Sequence, residues 1–149
     1  MMNDRSRLLV LVIALLPMAV IAGEHKQHAN EIAGFLGLTH ESNENGPAFG
    51  LEYERRISDK LGLGVLAEKT SGDINSWVYA VPITIHAEEW KFTVAPGIEE
   101  KHGHTENLIR IGVGHEFEMS ELKITPSLSV DFVDSETIYI LGVSFGIGF

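Results

Sequence analysis

The sequence predicts an all-β fold in which eight antiparallel strands close into an up-and-down barrel. Apolar and polar residues alternate along eight separate runs, and this period of two is the pattern of a β-strand. Short polar segments separate the runs, as expected of turns that join antiparallel neighbours. Glycines and aromatic residues lie on opposite faces of the runs, which indicates that the two faces meet different surroundings. The predicted strands lie near residues 30–41, 48–56, 61–69, 77–86, 90–99, 108–117, 122–133 and 137–149.

The stretch from Tyr139 to Phe149, which ends the chain, shows the alternation most clearly. Large apolar side chains occupy its odd positions, and Gly or Ser fills most of its even positions. The last residue is aromatic. This strand resembles the C-terminal strand of bacterial outer-membrane β-barrels, in which a terminal Phe after alternating apolar residues is the assembly signal. The resemblance implies an outer-membrane protein of a Gram-negative bacterium that is inserted by the outer-membrane assembly machinery.

The segregation of glycines and aromatic residues predicts which face points outward. Glycine is costly on a solvated strand, whereas a narrow eight-stranded barrel needs small residues inside. The aromatic residues fall mostly near strand ends, so they predict two girdles around an aliphatic band, as in transmembrane barrels. A soluble, lipocalin-like barrel would invert this arrangement. We expect the outward face to carry Phe49, Tyr53, Trp77, Tyr79, Trp90, Phe92, Phe117, Phe132, Tyr139, Phe145 and Phe149. The layout resembles small outer-membrane barrels of the OmpA and OmpX type, whose interiors are charged and mostly closed.

The connections predict which end of the barrel holds the termini. Tight turns are expected at Ile57–Lys60, Ala87–Glu89 and Glu118–Glu121. Longer loops are expected at Ser42–Pro47, Thr70–Ser76 and Glu100–Asn107, with Asp134–Glu136 as a short exception. Tight turns on one rim and longer loops on the other are typical of outer-membrane barrels. Both termini are then expected on the tight-turn rim, in the periplasm.

Two features of the predicted strands need a specific interpretation. Proline cannot donate to a ladder, so we expect a local bulge or one missing hydrogen bond at each of Pro82, Pro96 and Pro126. In the first strand both faces are apolar. We expect its even residues, including Leu36, to face lipid and Phe35 to point inward.

The N-terminus has the pattern of a secretory signal peptide. Arg5 and Arg7 precede an apolar run over residues 8–22 that is short for a membrane span. We predict cleavage after Ala22, which leaves residues 23–149 as one barrel domain. The chain of 149 residues has no Cys and a formal charge of −10, which argues against disulfides and against nucleic acid as a partner. The expected partners are outer-membrane lipids and lipopolysaccharide, and the protein is expected to be a monomer.

The inward face is rich in charge, which predicts an ion-pair network in the lumen. Pairing the strands through the turns brings Lys91, Glu116 and Lys123 together near the periplasmic rim, close to Glu54 and His86. Farther up, Arg110 is expected between Glu68, Ser129 and Asp131. Buried charges are tolerated when they are paired. We interpret the network as a plug that closes the barrel, and a small gated pore is the alternative.

The segment His40-Glu41-Ser42-Asn43 is a candidate catalytic site. A His two residues before a Ser, followed by Asn, resembles the active-site stretch of PagL-type lipid A deacylases, which are also eight-stranded outer-membrane barrels. The resemblance implies a general base, His40, beside a nucleophile, Ser42, with Glu44 or Glu54 orienting the base. In that family the motif lies late in the chain, whereas here it lies in the first strand.

Histidines near the N-terminus and on one loop are candidate metal ligands. After cleavage behind Ala22 the chain begins Gly23-Glu24-His25, and the free amine, two amide nitrogens and the His25 imidazole can bind Cu(II) or Ni(II) in a square plane. His102 and His104, with Glu106 nearby, could take Zn or Cu. We expect neither site to be used and predict no cofactor. The sequence thus predicts a structural or surface-interaction role without enzymatic activity, and a deacylase or a small porin remains as the alternative.

Overall fold

Ten β-strands form the wall of the barrel, and the described residues contain no other regular element. The computed structural model describes residues 28–149. The predicted signal peptide and the predicted copper site at His25 therefore lie outside the described residues. The strands are β1 Asn30–Glu41, β2 Glu44–Arg56, β3 Leu61–Thr70, β4 Ser76–Ala80, β5 Ile83–Ala87, β6 Trp90–Lys101, β7 His104–His115, β8 Phe117–Met119, β9 Leu122–Val133 and β10 Glu136–Gly148.

The sheet closes because its last strand pairs with its first. Neighbouring strands are antiparallel, and β10 pairs with β1 along nearly its whole length. Strands β4 and β5 follow one another between β3 and β6, and β7 and β8 follow one another beside β9. The ten strands therefore occupy eight positions around the barrel. This confirms the predicted all-β, eight-stranded antiparallel barrel. Among residues 28–149 no helix has the length and hydropathy of a membrane span.

The register of the ladders determines how far the strands tilt. A circuit of paired residues runs from Glu31 through Glu54, Gly64, Pro82, Ala95, Arg110, Asp131 and Ile138 to Glu41. The circuit returns to β1 ten residues beyond its start, which is a shear of ten. For eight strands this shear corresponds to a tilt of about 40° and a backbone radius of about 8 Å. Side chains from the two walls meet across a bore of that width.

Prolines interrupt the ladder without shifting its register. Gly64 N donates to Pro82 O over 2.8 Å, and Val81 N donates to Pro96 O over 2.9 Å. The reciprocal bonds are missing because Pro82 and Pro96 have no N–H. Pairing resumes in the same register on both sides of the gap between β4 and β5, so no bulge forms there. The wall therefore loses single hydrogen bonds and keeps the alternation of its faces.

Most turns are shorter than the sequence predicts. We call the end of the barrel that holds Asn30 and Phe149 the terminal rim, and the other end the distal rim. The predicted loops at Ser42–Pro47 and Glu100–Asn107 are wrong, because the strands continue into two-residue turns at 42–43 and 102–103. The first residue of each two-residue turn has a positive φ, as type I′ and II′ turns require. These residues are Ser42, Glu88, His102, Ser120 and Asp134.

The terminal rim closes on the ends of the described chain. Asn30 N donates to Phe149 O over 3.1 Å, and Phe149 N donates to Asn30 O over 2.9 Å. Tyr53 Oη donates to Asn30 Oδ1 over 2.8 Å, which ties β2 to the same point. The aromatic C-terminal residue is thus part of the seam between β10 and β1, and its ring is 63% exposed on the outside.

Candidate functional site

The outer wall of the barrel is apolar over most of its height. Large hydrophobic side chains point outward from every strand position, among them Leu36 at 59% exposure and Leu141 at 62%. The even residues of β1 point outward, and Phe35 points inward against a buried cluster, as expected. A soluble protein does not expose a continuous apolar surface of this size. The wall therefore has the surface of a protein embedded in lipid.

Aromatic side chains concentrate near both edges of this apolar wall. Toward the terminal rim, the Trp90 ring meets the His115 ring at 4.8 Å, and His115 in turn lies 4.6 Å from Phe117. Toward the distal rim, Trp77 stacks on Tyr79 with ring centroids 6.0 Å apart. Lys69 Nζ lies 5.4 Å from the centre of the Trp77 ring. Aromatic rings beside polar groups suit the interface between acyl chains and headgroups.

A four-membered ring of ion pairs crosses the lumen near the terminal rim. Lys91 Nζ lies 3.2 Å from Glu31 Oε1 and 3.5 Å from Glu116 Oε2. Lys123 Nζ lies 3.0 Å from Glu31 Oε2 and 3.2 Å from Glu116 Oε1. Each lysine therefore forms ion pairs with both carboxylates, and each carboxylate forms ion pairs with both lysines. The structure brings together the three residues that the sequence placed here, and adds Glu31 of β1.

A second cluster, formed by Glu54, Arg56 and His86, lies beside this ring. Arg56 Nη2 lies 2.8 Å from His86 Nδ1, and His86 Nε2 lies 2.6 Å from Glu54 Oε1. A guanidinium can only donate, so Nδ1 accepts and Nε2 carries the proton that it donates to Glu54. The imidazole is neutral in this arrangement. Arg56 Nε also lies 3.3 Å from Glu54 Oε1, which pairs that carboxylate with a permanent cation.

Arg110 joins two acidic residues in the lumen, on the distal side of these two clusters. Its Nη1 and Nη2 donate to Glu68 over 3.0 and 2.9 Å, and its Nε and Nη2 donate to Asp131 over 2.6 and 2.8 Å. All three side chains are buried. Double two-point contacts of this kind are the strongest ion pairs that proteins form. The structure brings together Arg110, Glu68 and Asp131, whereas no hydrogen bond joins Ser129 to them.

Apolar side chains fill the bore on the distal side of Arg110. A buried cluster there has no counterpart among the predicted lumen residues, and Phe35 packs against it from below. It consists of Val78, Leu108, Val133, Ile138 and Ile140. Beyond it, the hydroxyls of Thr39 and Thr70 lie 2.9 Å apart, and Lys101 Nζ lies 2.6 Å from Glu41 Oε1. The lumen is therefore blocked by ion pairs and by packed hydrocarbon.

The predicted catalytic pair is not assembled. His40 is exposed, and its Nδ1 donates to Asn45 Oδ1 over 2.7 Å. Ser42 lies in the adjacent turn, and no hydrogen bond joins it to His40. Glu54 points into the lumen near the opposite rim, where it binds His86. Of the two carboxylates predicted to orient His40, Glu54 is therefore separated from it, and Glu44 begins β2 beside Asn45 without a hydrogen bond to the imidazole.

The predicted metal ligands on the distal rim do not form a cluster. His102 occupies a turn with a φ of 49°, and His104 begins β7. Both border an open, polar depression together with Glu106, Asp134 and Glu136. Within residues 28–149 no three His, Asp or Glu side chains are arranged to hold a metal ion.

Solved structures share this fold. No protein family profile and no curated protein sequence matches the chain. The N-terminal β-barrel domain of Pseudomonas aeruginosa OprF is similar at a TM-score of 0.64 and 12% identity, over 83% of this chain and 100% of that one. Yersinia pestis Ail, in complex with the heparin analogue sucrose octasulfate, has a TM-score of 0.53 and 14% identity, over 80% and 96%. The outer membrane enzyme PagL has a TM-score of 0.51 and 12% identity, over 80% and 99%. The chain has the fold of small outer-membrane β-barrels.

Proposed function

We propose that the protein is an integral outer-membrane barrel with a closed lumen, which acts as a structural element of the membrane and through its rims. The observation that carries this proposal is the inverted distribution of its side chains, with exposed hydrocarbon outside and buried charge inside. Such a surface is stable in lipid, because acyl chains cover it, and unstable in water. Residues 1–22 are then the export signal, and both termini lie in the periplasm.

The ion pairs support a closed lumen. A charge that faces a membrane-embedded interior is stabilised only when a partner replaces its water. The ring of Glu31, Lys91, Glu116 and Lys123 meets this need near the terminal rim, and the Arg110 cluster meets it nearer the middle of the barrel. Ions that crossed the barrel would have to break both layers and displace the apolar cluster between Arg110 and the distal rim. We infer that the network serves stability and not transport.

The rims are the surfaces left for recognition. The distal rim is acidic, with carboxylates of Glu44, Glu106, Asp134 and Glu136 beside or within its turns. Anionic lipopolysaccharide can meet such a rim through bridging divalent cations. The exposed Phe149 ring suits the outer-membrane assembly machinery. The turns are too short to form a large binding surface, so a monomer with lipid as its main partner fits the shape best.

We further propose that the protein has no enzymatic activity. A triad needs a base that touches its nucleophile and an acid that orients the base. His40 forms a hydrogen bond with Asn45 and none with Ser42, and the Glu54–His86 pair has no hydrogen bond to a Ser hydroxyl.

Refolding tests the membrane proposal directly. The chain without residues 1–22 is unfolded in urea and diluted into lipid vesicles or into buffer. We expect β-structure, a band that shifts on gels only after boiling, and quenching of Trp77 and Trp90 by brominated lipids. The protein expressed with residues 1–22 should fractionate with the outer membrane. A stable monomer in buffer whose tryptophans are shielded from water would overturn the proposal.

A further inference from the structure

An apolar groove runs along the outer wall of the barrel over strand β3. It has a volume of about 320 Å³, and Val65 and Ala67 form its floor. Larger side chains rise on both sides, namely Leu51 and Tyr53 of β2 and, across β3, Tyr79 and Val81. The groove is one strand wide, so it fits a single extended hydrocarbon chain. A second barrel would present a wall several strands wide and would not enter it.

A lysine lies at the distal end of this groove. Lys69 follows Ala67 by two residues on the same face of β3. Its Nζ donates to Asn75 Oδ1 over 2.6 Å, and it forms no ion pair with a carboxylate within residues 28–149. An ammonium has three N–H groups, so two remain for a ligand. By contrast, Lys101 and Arg110 point into the lumen and are paired there. Lys69 therefore brings an uncompensated positive charge to the lipid-facing surface.

Two aromatic rings form a flat surface beside this lysine. Trp77 is the partner of Lys69 in the ladder between β3 and β4, and Tyr79 is the partner of Ala67. The two rings are stacked, with an angle of 5° between their planes. Trp and Tyr combine an apolar ring with a hydrogen-bond donor, which suits the boundary between acyl chains and headgroups. Glu100 lies on the far side of Trp77, two strands and about 10 Å away from Lys69.

We propose that the groove binds one acyl chain of a phosphorylated glycolipid of the lipid A type, and that Lys69 binds a phosphate of the same molecule. Lys69 and Val65 are about 13 Å apart along the strand, so one lipid can reach both the ammonium and the floor of the groove. The charge of Lys69 favours an anionic headgroup. The distal rim faces the lipopolysaccharide leaflet in the proposed topology.

This inference rests on the proposed membrane role and deepens it. The proposed function connects lipopolysaccharide to the acidic rim through divalent cations, whereas the groove contacts the lipid directly.

Native mass spectrometry of the refolded barrel in detergent tests the site. Lipid A, lipid A stripped of its phosphates, and phosphatidylglycerol are titrated in EDTA, so that no divalent cation can bridge. We expect the wild type to bind one lipid A about tenfold more tightly than the stripped form, because a hydrogen bond to a charged group is lost with the phosphate. Lys69→Met should bind both forms alike. Ala67→Leu fills the groove and should weaken the binding of both forms about fivefold.

Two variants serve as controls. Gly34→Leu adds the same side chain to the outer wall of β1, where an added Cβ meets nothing within 4 Å, and should bind both lipids as the wild type does. Glu100→Gln removes the nearby carboxylate of β6 and should not weaken binding in EDTA. As a second measurement, the fluorescence of Trp77 in a Trp90→Phe background should change when lipid A is added, and Lys69→Met should reduce this change.

Four results would overturn the proposal. A wild type that binds both forms of lipid A equally would show that no phosphate is held, and a preference that survives in Lys69→Met would place the phosphate elsewhere. Phosphatidylglycerol bound as tightly as lipid A would assign the groove to anionic lipids in general. A wild-type dimer that Ala67→Leu converts to a monomer would assign it to a second copy of the chain.

These failures differ from a failure of the membrane role. Each variant is first shown to give the heat-shifted band in phosphatidylcholine vesicles. A folded barrel that does not bind lipid A would contradict the lipid site alone, whereas a chain that does not fold in lipid would contradict the membrane role.

Discussion

Arg110 and Glu68 meet across the lumen through two parallel hydrogen bonds, Nη1–Oε2 at 3.0 Å and Nη2–Oε1 at 2.9 Å. The two residues come from strands β7 and β3, which are not neighbours in the sheet. The contact therefore joins opposite sides of the wall, where no backbone hydrogen bond can reach. Asp131 fixes the same guanidinium from a third strand, which leaves Arg110 a single orientation.

Removing the guanidinium is expected to destabilise the barrel strongly. Arg110→Met leaves Glu68 and Asp131 buried beside each other without a cation. Loss of one partner of a buried pair costs about 3–5 kcal/mol, mainly because the remaining charge is uncompensated. The measurement is urea unfolding of the barrel in lipid vesicles.

The matched control separates this loss of pairing from loss of volume. The triple variant R110M/E68L/D131L removes all the charges together and should recover most of the stability. Lys69→Met, on the outer wall, should change the unfolding free energy by less than about 1 kcal/mol. An R110M barrel as stable as the wild type would show that the cluster is not ionised.

The ring at the terminal rim predicts strong coupling between its two lysines. Lys91→Met leaves both Glu31 and Glu116 paired with Lys123, so it should lower the unfolding free energy only modestly. The double variant K91M/K123M removes both cationic partners of Glu31 and Glu116. Its loss of unfolding free energy should exceed the sum of the losses in the single variants by about 1–3 kcal/mol. Urea unfolding of the four proteins in a double-mutant cycle gives this coupling. Additive effects would contradict the arrangement.

The sequence predicts the wall well because a strand has a strict period. Once Phe145 and Phe149 point outward, every second residue of β10 must point inward, and the argument extends through each paired strand. The rims were harder to predict. Their turns place Ser42 and Glu88 at positive φ, where Gly or Asn normally signals the turn. Without that signal the ends of β1 and β2 look like a loop.

The lumen was predictable only in part. Glu31 follows from the same period as its neighbours, because an outward Ile32 requires an inward Glu31, although apolar residues on both faces of β1 obscure that period. The apolar cluster around Leu108 and Ile140 depends on how far the strands are staggered. The stagger depends on the turns, and two of these turns are shorter than the loops that the sequence predicts.

The blocked lumen predicts that the protein does not conduct. Planar bilayers that contain the wild type should show no current steps, because Leu108 and its neighbours exclude water above Arg110. Leu108→Ala should also remain silent, since it opens the apolar layer and leaves both layers of ion pairs intact. A vesicle-refolded porin serves as the positive control. Steps that respond to Glu116 or Lys123 substitution would support a gated pore instead.

The geometry of His40 predicts that the protein does not deacylate lipid A. The imidazole is exposed and bound to Asn45, and no hydrogen bond connects it to Ser42. Purified protein in mixed micelles with lipopolysaccharide should release no fatty acid by mass spectrometry. Release that both His40→Ala and Ser42→Ala abolish would establish the alternative hydrolase function.

Phe35 fills the lumen by lying over glycines, and this contact predicts a compensating pair of substitutions. A Cβ at Gly142 would collide with the Phe35 ring and with Leu36 O of the neighbouring strand, and one at Gly37 would meet the same ring. Gly142→Val should therefore cost about 1–3 kcal/mol through overpacking. Phe35→Ala alone should also destabilise the barrel, because it opens a cavity beside the apolar cluster.

In the double variant F35A/G142V the valine occupies space that the ring vacates. The loss of unfolding free energy should therefore be smaller than the sum of the losses in the two single variants. Unfolding in urea of the three variants and the wild type measures this rescue. Gly34→Val, on the outer wall where an added Cβ meets nothing within 4 Å, is the control and should cost little. If F35A did not relieve G142V, the clash would lie with the backbone of β1, and the ring would not be what makes glycine necessary at this position.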